Sequence, residues 1–197
     1  MDREGQLAKI AVVVGSTREG SFNRMLGKLA IRALQAQGAA VTDVDLADFD
    51  LPLYSAAIEA GAFPADAQRL KEIFAAQDGL LFVSPEYNGS VSPLLKNAID
   101  WASRPTGGES LVALSAYRGK ASAIMAASIS PFGGLRGLIH LRQILSTIQT
   151  LVIPEQVLIP NAHAAFDEDG HLKEALPASL VDLTAARLVA VARALSA

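Results

Sequence analysis

The stretch VVVGSTREGSFN, residues 12–23, carries the reading of the whole chain. A run of apolar, largely β-branched residues ends at Gly15, and a small polar turn rich in Ser, Thr and Gly follows. From Ser21 the apolar residues fall at Phe22, Met25, Leu26, Leu29, Ala30, Ala33 and Leu34, which is helical spacing, and Gly38 then provides a stop. A strand, a flexible turn and a helix N-terminus form an anion cradle, because helix-start N–H groups and the helix dipole both face the turn.

The rest of the chain repeats the alternation of strand and helix. Ile10–Val14 is apolar throughout, as a strand buried on both faces should be, whereas Val41–Leu46 alternates and predicts an edge strand. Residues 47–64 hold two prolines and no sustained period, so they read as the least ordered part of the first half. A helix is predicted over Ala65–Ala76, followed by a buried strand in DGLLFVS (78–84). PEYNGSVSP (85–93) reads as a turn-rich loop, with Ser92 as N-cap and Pro93 at the first helical position. The helix continues through Leu94, Leu95, Ala98, Ile99 and Ala102. After a loose stretch, 104–119, come a strand over Lys120–Ala127, a second glycine-bearing loop, a helix over Leu135–Thr150 and a last strand over Val152–Ile159. Leu180, Thr184, Leu188, Val191 and Leu195 are expected to line the inner face of a terminal helix.

Strands that alternate with helices and are apolar on both faces imply a parallel sheet covered on each side. Five strands and five helices fit a flavodoxin-like α/β three-layer sandwich, with a five-stranded parallel sheet in the order 2-1-3-4-5. Nothing in residues 1–197 marks a linker or a repeat, so a single domain is expected. In that topology the ligand crevice lies beyond the carboxyl ends of strands 1 and 3. Gly15–Asn23 and Ser84–Gly89 follow those two strands.

The first loop fails two nucleotide signatures on specific residues. A P-loop requires a lysine before its final Ser or Thr, but Gly20 is followed directly by Ser21. A dinucleotide fingerprint requires G-x-G-x-x-G, and here Ser16 and Thr17 stand after Gly15. A monophosphate is the smaller target. Hydroxyls of Ser16, Thr17 and Ser21, the Asn23 amide and backbone N–H groups suit its oxygens, and Arg18 adds charge-assisted hydrogen bonds. An ordinary βα turn with Ser21 as a plain N-cap remains the alternative. In the second loop, Tyr87 offers a flat face and Asn88 both donor and acceptor, groups suited to a planar heterocycle. A phosphate pocket beside a planar-ring pocket describes FMN.

With both loops in view, the chain resembles the NAD(P)H-dependent FMN reductase family, which includes quinone, chromate and azo-dye reductases. GSTREGSFNRMLGKLA (15–30), SPEYNGSVSPLLKNAIDW (84–101) and GGLRGLIHLRQIL (133–145) carry the resemblance, which spans about residues 8–172. It implies that Ser16, Arg18, Ser21 and Asn23 bind the FMN phosphate and that Pro85, Glu86, Tyr87, Asn88 and Gly89 hold the isoalloxazine. It also implies two-electron transfer from NADPH or NADH through FMN to quinones or similar small acceptors, and association into a homodimer or homotetramer. No side chain is then needed as a catalytic acid. The chain departs from the family at Ser130-Pro131, where relatives often have a glycine. A non-enzymatic flavodoxin-type electron carrier is the alternative, disfavoured by a net charge of only −3.

Composition excludes other classes. With no cysteine, thiolate nucleophiles, zinc–thiolate sites and disulfides are ruled out. Scattered Arg and Lys and an acidic balance give no footprint for nucleic acid. His140, His163 and His171 lack metal-binding spacing, and the acidic run Asp167–Asp169 reads as a solvated turn. Trp101 is expected in the core or at a dimer interface. MDREGQLAKI lacks the apolar segment of a signal peptide, and no unbroken apolar run approaches the roughly 18–20 residues of a membrane span. A cytoplasmic location is expected.

Overall fold

The structure, a computed structural model, describes residues 7–196. Its main sheet has five parallel strands. They are β1 (Ala8–Val14), β2 (Ala39–Asp45), β3 (Gly79–Val83), β6 (Ala121–Ala127) and β7 (Leu151–Ile159). The order is β2-β1-β3-β6-β7. A separate two-stranded hairpin, β4 (Glu86–Tyr87) and β5 (Ser90–Val91), follows β3. Counting main-sheet strands alone, the order is the expected 2-1-3-4-5, with reversal of winding between β1 and β3.

Burial follows the patterns that predicted the strands. Every residue of β3 and β6 is buried, as central parallel strands require, while the edge strand β2 mixes buried, half-buried and exposed residues without the strict alternation its sequence suggested. Helices α1 (Phe22–Ala36) and α7 (Ala175–Ser196) cover one face. Helices α3 (Ala65–Ala75), α4 (Pro93–Ala102) and α5 (Leu135–Thr147) cover the other. The short helices α2 (Ala56–Gly61) and α6 (Ala162–Ala165) lie in connections.

Two expectations are corrected here. The buried stripe of α7 runs through Val181, Thr184, Ala185, Leu188, Val189 and Ala192, while Leu180 and Leu195 are exposed. The helix comes down onto the sheet at Gly79, where an added Cβ would stand 3.3 Å from the Ala192 Cβ. Small residues, not leucines, fit that approach. Within the same 22-residue helix an 18-residue window has a mean hydropathy of 1.5, so by length and composition alone the helix is long and apolar enough to cross a membrane, although it holds no unbroken apolar run of that length. Its buried stripe is packed on the sheet and α1.

Residues 47–64 are also more ordered than their sequence suggests. Ser55 caps α2, its Oγ accepting the Ile58 N–H. The preceding segment is fixed to α4 through long-range partners. Asn97 Oδ1 accepts the Tyr54 N–H at 2.9 Å, and Trp101 Nε1 donates to the Pro52 carbonyl at 2.7 Å. Trp101 is fully buried, with Tyr54 and Phe63 edge-on against it, and so serves the core. The loose stretch after α4 is pinned by buried Lys71, whose ammonium donates to the Arg104 carbonyl, Thr106 Oγ1 and the Glu109 carboxylate. The Lys71 hydrogen bond, with one from Ser115, holds the Glu109 carboxyl below its ordinary 4.5.

Candidate functional site

Three loops meet beyond the carboxyl ends of β1, β3 and β6, where the winding of the sheet reverses. The first, Gly15–Ser21, continues the ladder for one step as the Gly15 N–H donates to the Val83 carbonyl at 2.8 Å. Gly15 permits the close approach of this loop to α4. A Cβ there would lie 2.8 Å from both Leu95 Cβ and Ser92 Oγ. Ser92 joins the first two loops. Its hydroxyl donates to the Gly15 carbonyl at 2.7 Å and accepts the Leu95 N–H, so it is the α4 N-cap expected from Ser92-Pro93 and a strut as well.

The start of α1 is prepared for an anion. Ser21 occupies the N-cap position, yet its hydroxyl makes no capping bond, and no acidic residue stands in the first turn. Among the described residues, the hydroxyls of Ser16, Thr17 and Ser21 have no hydrogen-bond partner; Ser16 and Ser21 are buried as residues, while their Oγ atoms keep contact with solvent. Hydroxyls that neither cap the helix nor bond elsewhere, opening at its positive end, are donors available to an anion. Arg18 is exposed; its guanidinium reaches only the neighbouring Glu19 carbonyl and lies 6.0 Å from the Phe22 ring centre.

Asn23 stands differently from the expectation that its amide faces the anion. It is buried in the first turn of α1, where Nδ2 donates to the Ala127 carbonyl at 2.8 Å and Oδ1 accepts the Ala127 N–H at 2.9 Å. The amide thus imitates a strand partner for the last residue of β6. It sets where α1 begins relative to the sheet.

The second loop, read from its composition as turn-rich, is a two-stranded hairpin. Asn88 and Gly89 adopt φ of 50° and 76°, and Glu86 pairs with Val91 and Tyr87 with Ser90. Two successive positive φ angles match a type I′ turn, for which Asn-Gly is the strongest local signal, so the dipeptide could have revealed it. Tyr87 is half-exposed at the hairpin tip, as its proposed ring-facing use requires. The Glu86 carboxylate is directed to α5. Arg136 Nε and Nη2 donate to Oε1 at 2.8 and 2.5 Å, and the Gly137 N–H donates to Oε2 at 3.2 Å. Of Glu86, the backbone is therefore what remains for a ligand.

The third loop, Ser128–Gly134, is drawn tight by Ser128 and Ser130, whose hydroxyls accept the N–H groups of Ser130 and Phe132. Gly133 and Gly134 take φ of 62° and 92°, and a Cβ on Gly134 would lie 2.6 Å from the Ala126 Cβ. Only glycine meets both demands there. Sequence reasoning did not single out Arg136, Gly137 or His140 as neighbours of the second loop. His140 Nδ1 is hydrogen-bonded to Ser90 Oγ at 3.0 Å. Away from these loops, Asp167, Asp169 and His171 bring ligand-type atoms within 4.8 Å of one another on an exposed turn. Asp167 Oδ1 closes that turn by accepting the N–H groups of Asp169 and His171.

A sequence profile described as NADPH-dependent FMN reductase matches residues 8–164. The chain is 40% identical to an NAD(P)H-dependent FMN reductase of Pseudomonas aeruginosa over 166 residues, covering 83% of this chain and 84% of the relative. It is 37% identical to a 2-hydroxy-1,4-benzoquinone reductase of a Burkholderia species, covering 83% and 85% of the two. Among solved structures, the flavoenzyme NAD(P)H:(acceptor) oxidoreductase FerB of Paracoccus denitrificans superposes with a TM-score of 0.80 at 28% identity, covering 95% of this chain and 98% of that one.

Proposed function

The chain belongs to the NADPH-dependent FMN reductase family, and on that premise we propose that its three loops form the FMN site of a reductase acting on quinone-type acceptors. It is an oxidoreductase that uses FMN and NAD(P)H. The observation that carries the site assignment is the set of unengaged, solvent-reaching Ser16 and Ser21 hydroxyls at the uncapped N-terminus of α1. These donors fit a phosphate monoester, which brings about 1.5–2 negative charges and three acceptor oxygens.

In this reading Ser16, Thr17, Ser21 and the first N–H groups of α1 hold the phosphate, with Arg18 supplying the charge. Asn23 positions that helix start from behind, through Ala127. The backbone of Pro85–Gly89 takes the edge of the flavin ring, and the type I′ turn fixes which of its N–H and C=O groups face outward. The bound flavin supplies the two-electron chemistry between NAD(P)H and the acceptor. No side chain is assigned a proton-transfer role. Glu86, the carboxylate of the second loop, is committed to α5, and the half-exposed Tyr87 leaves the mouth open to water.

A quinone-type acceptor is supported by relatives named quinone reductase in Pseudomonas putida and 2-hydroxy-1,4-benzoquinone reductase in a Burkholderia species. Exposed Tyr87, Ile129 and Phe132 give the mouth an apolar rim suited to a flat, weakly polar substrate. Chromate and azo compounds belong in the same acceptor panel. The test is stopped-flow bleaching of FMN-loaded protein by NADPH and NADH, then reoxidation by each acceptor. Rapid bleaching and quinone-driven recovery are expected. A protein that binds no FMN, or that holds FMN inert to both nicotinamides, would overturn the reading.

A further inference from the structure

The hairpin β4–β5 is too small to hold itself in place. Each strand has two residues, neither joins the main sheet, and isolated hairpins are marginal in water. Its attachment is to the first turns of α5. That helix lacks a cap of its own. Gly134 at the N-cap position has no side chain to offer, and no acidic residue occupies the first turn. The Glu86 carboxylate, delivered from the hairpin, accepts the Gly137 N–H and receives Arg136 on its other oxygen. Its side chain is only 6% exposed, in contrast to the solvated ion pairs that add little. One turn further on, His140 meets Ser90. Between these two stitches Gly137 lies flat against the hairpin, where a Cβ would stand 3.2 Å from the Ser90 carbonyl oxygen. Arg136 also lies over the ring of Phe132, at 5.3 Å, which ties the same ion pair to the third loop.

We propose that Glu86 is a positioning residue: by capping α5 from across the cleft and holding Arg136, it fixes the flavin-ring hairpin against the third loop. The proposal rests on the FMN reading for its functional consequence, but the clamp itself exists without FMN. A carboxylate is required because it serves a helix N-terminus, a guanidinium and a backbone N–H together. Glutamine keeps one acceptor for Gly137 and loses the charge; aspartate keeps the charge but is one methylene short of reaching both partners.

The experiment compares wild type with Glu86→Gln, Glu86→Asp and Glu86→Ala by amide hydrogen exchange on the apoprotein and by FMN titration. For Glu86→Ala, exchange at residues 86–91 and 135–138 should accelerate about ten- to a hundredfold, the weight of a charged hydrogen bond. Strand β3 should be unchanged. FMN affinity should fall about tenfold or more, with Glu86→Gln and Glu86→Asp intermediate, each rescuing one of the two functions. If Glu86→Ala fails to fold, the Gln and Asp variants carry the same measurement. Unchanged exchange in the hairpin and α5 in any folded variant would overturn the clamp. Faster exchange with FMN affinity unchanged would overturn its role in the cleft. A wild-type protein that binds no FMN would instead defeat the functional reading, while the exchange data would still decide the clamp.

Discussion

Replacing Asn23 with alanine separates a structural strut from a ligand. The side chain and Ala127 are both buried, at 4% and 3% exposure, and the two share hydrogen bonds of 2.8 and 2.9 Å. Truncation leaves the Ala127 N–H and C=O without partners at the end of β6. Each orphaned buried group costs about 1–3 kcal/mol. Summed, and reduced by the side-chain entropy regained and by any water that enters, the loss is about 2–4 kcal/mol. At about 3 kcal/mol the melting temperature falls by about 6–12 °C, since about 1 kcal/mol moves it about 2–4 °C in a chain of this length. The assay is thermal unfolding of the apoprotein beside FMN titration. The variant should be less stable without FMN and should also bind FMN less tightly, because the start of α1 is no longer held against the sheet. An apoprotein as stable as wild type, paired with lost FMN binding, would refute the strut and return Asn23 to the phosphate.

Ser21→Ala gives the opposite pattern. Its hydroxyl makes no capping bond, so apoprotein stability should stay within about 0.5 kcal/mol, where a working N-cap would cost about 1 kcal/mol. FMN binding should weaken in Ser21→Ala and in Arg18→Ala, and equal affinity in both variants would remove the phosphate assignment. Gly15→Ala forces a Cβ to within 2.8 Å of Leu95 and Ser92, so overpacking should cost about 1–3 kcal/mol in a melting experiment. The same change displaces the Gly15 carbonyl from the Ser92 hydroxyl, and FMN affinity should drop with it. Glu109→Gln leaves the Lys71 ammonium, with its side chain only 4% exposed, without its anion but still bonded to Arg104 and Thr106, at a cost of about 1.5–3 kcal/mol. Because Lys71 depresses the Glu109 carboxyl in the folded state, this pair stabilises above the unfolded value near 4.5. The contribution is lost as pH falls through the lower folded value. Acid titration of stability should therefore be flatter in Glu109→Gln, and an unchanged acid limb would show that the pair contributes nothing.

Much of the fold was legible because each strand and helix advertises its own burial. The apolar run before Gly15 and the apolar DGLLFVS segment mark β1 and β3, and sequence order alone puts their following loops at the switch point. The Ser92-Pro93 pair named the start of α4 for a local reason, since a cap acts within its own turn. Asn88-Gly89 carried an equally local signal for the hairpin. On α7 the spacing places Thr184 and Leu188 correctly on the inner face but wrongly adds Leu180 and Leu195, because periodicity weighs leucines above the alanines that a close helix–sheet approach selects.

By itself, then, the sequence determined the layer architecture and where the strands, helix caps and glycine-bearing loops fall along the chain. All of these follow from short-range patterning of apolar, glycine and capping residues. Tertiary structure alone decided what the polar side chains in those loops do. Asn23 meets Ala127 across 104 residues, and Glu86 meets Arg136 across 50. Periodicity reports whether a side chain is buried, but not which distant donor or acceptor satisfies it there. That choice is made when helices and sheet pack, and it left Ser16 and Ser21 open at the start of α1 while tying Asn23 and Glu86 to the scaffold.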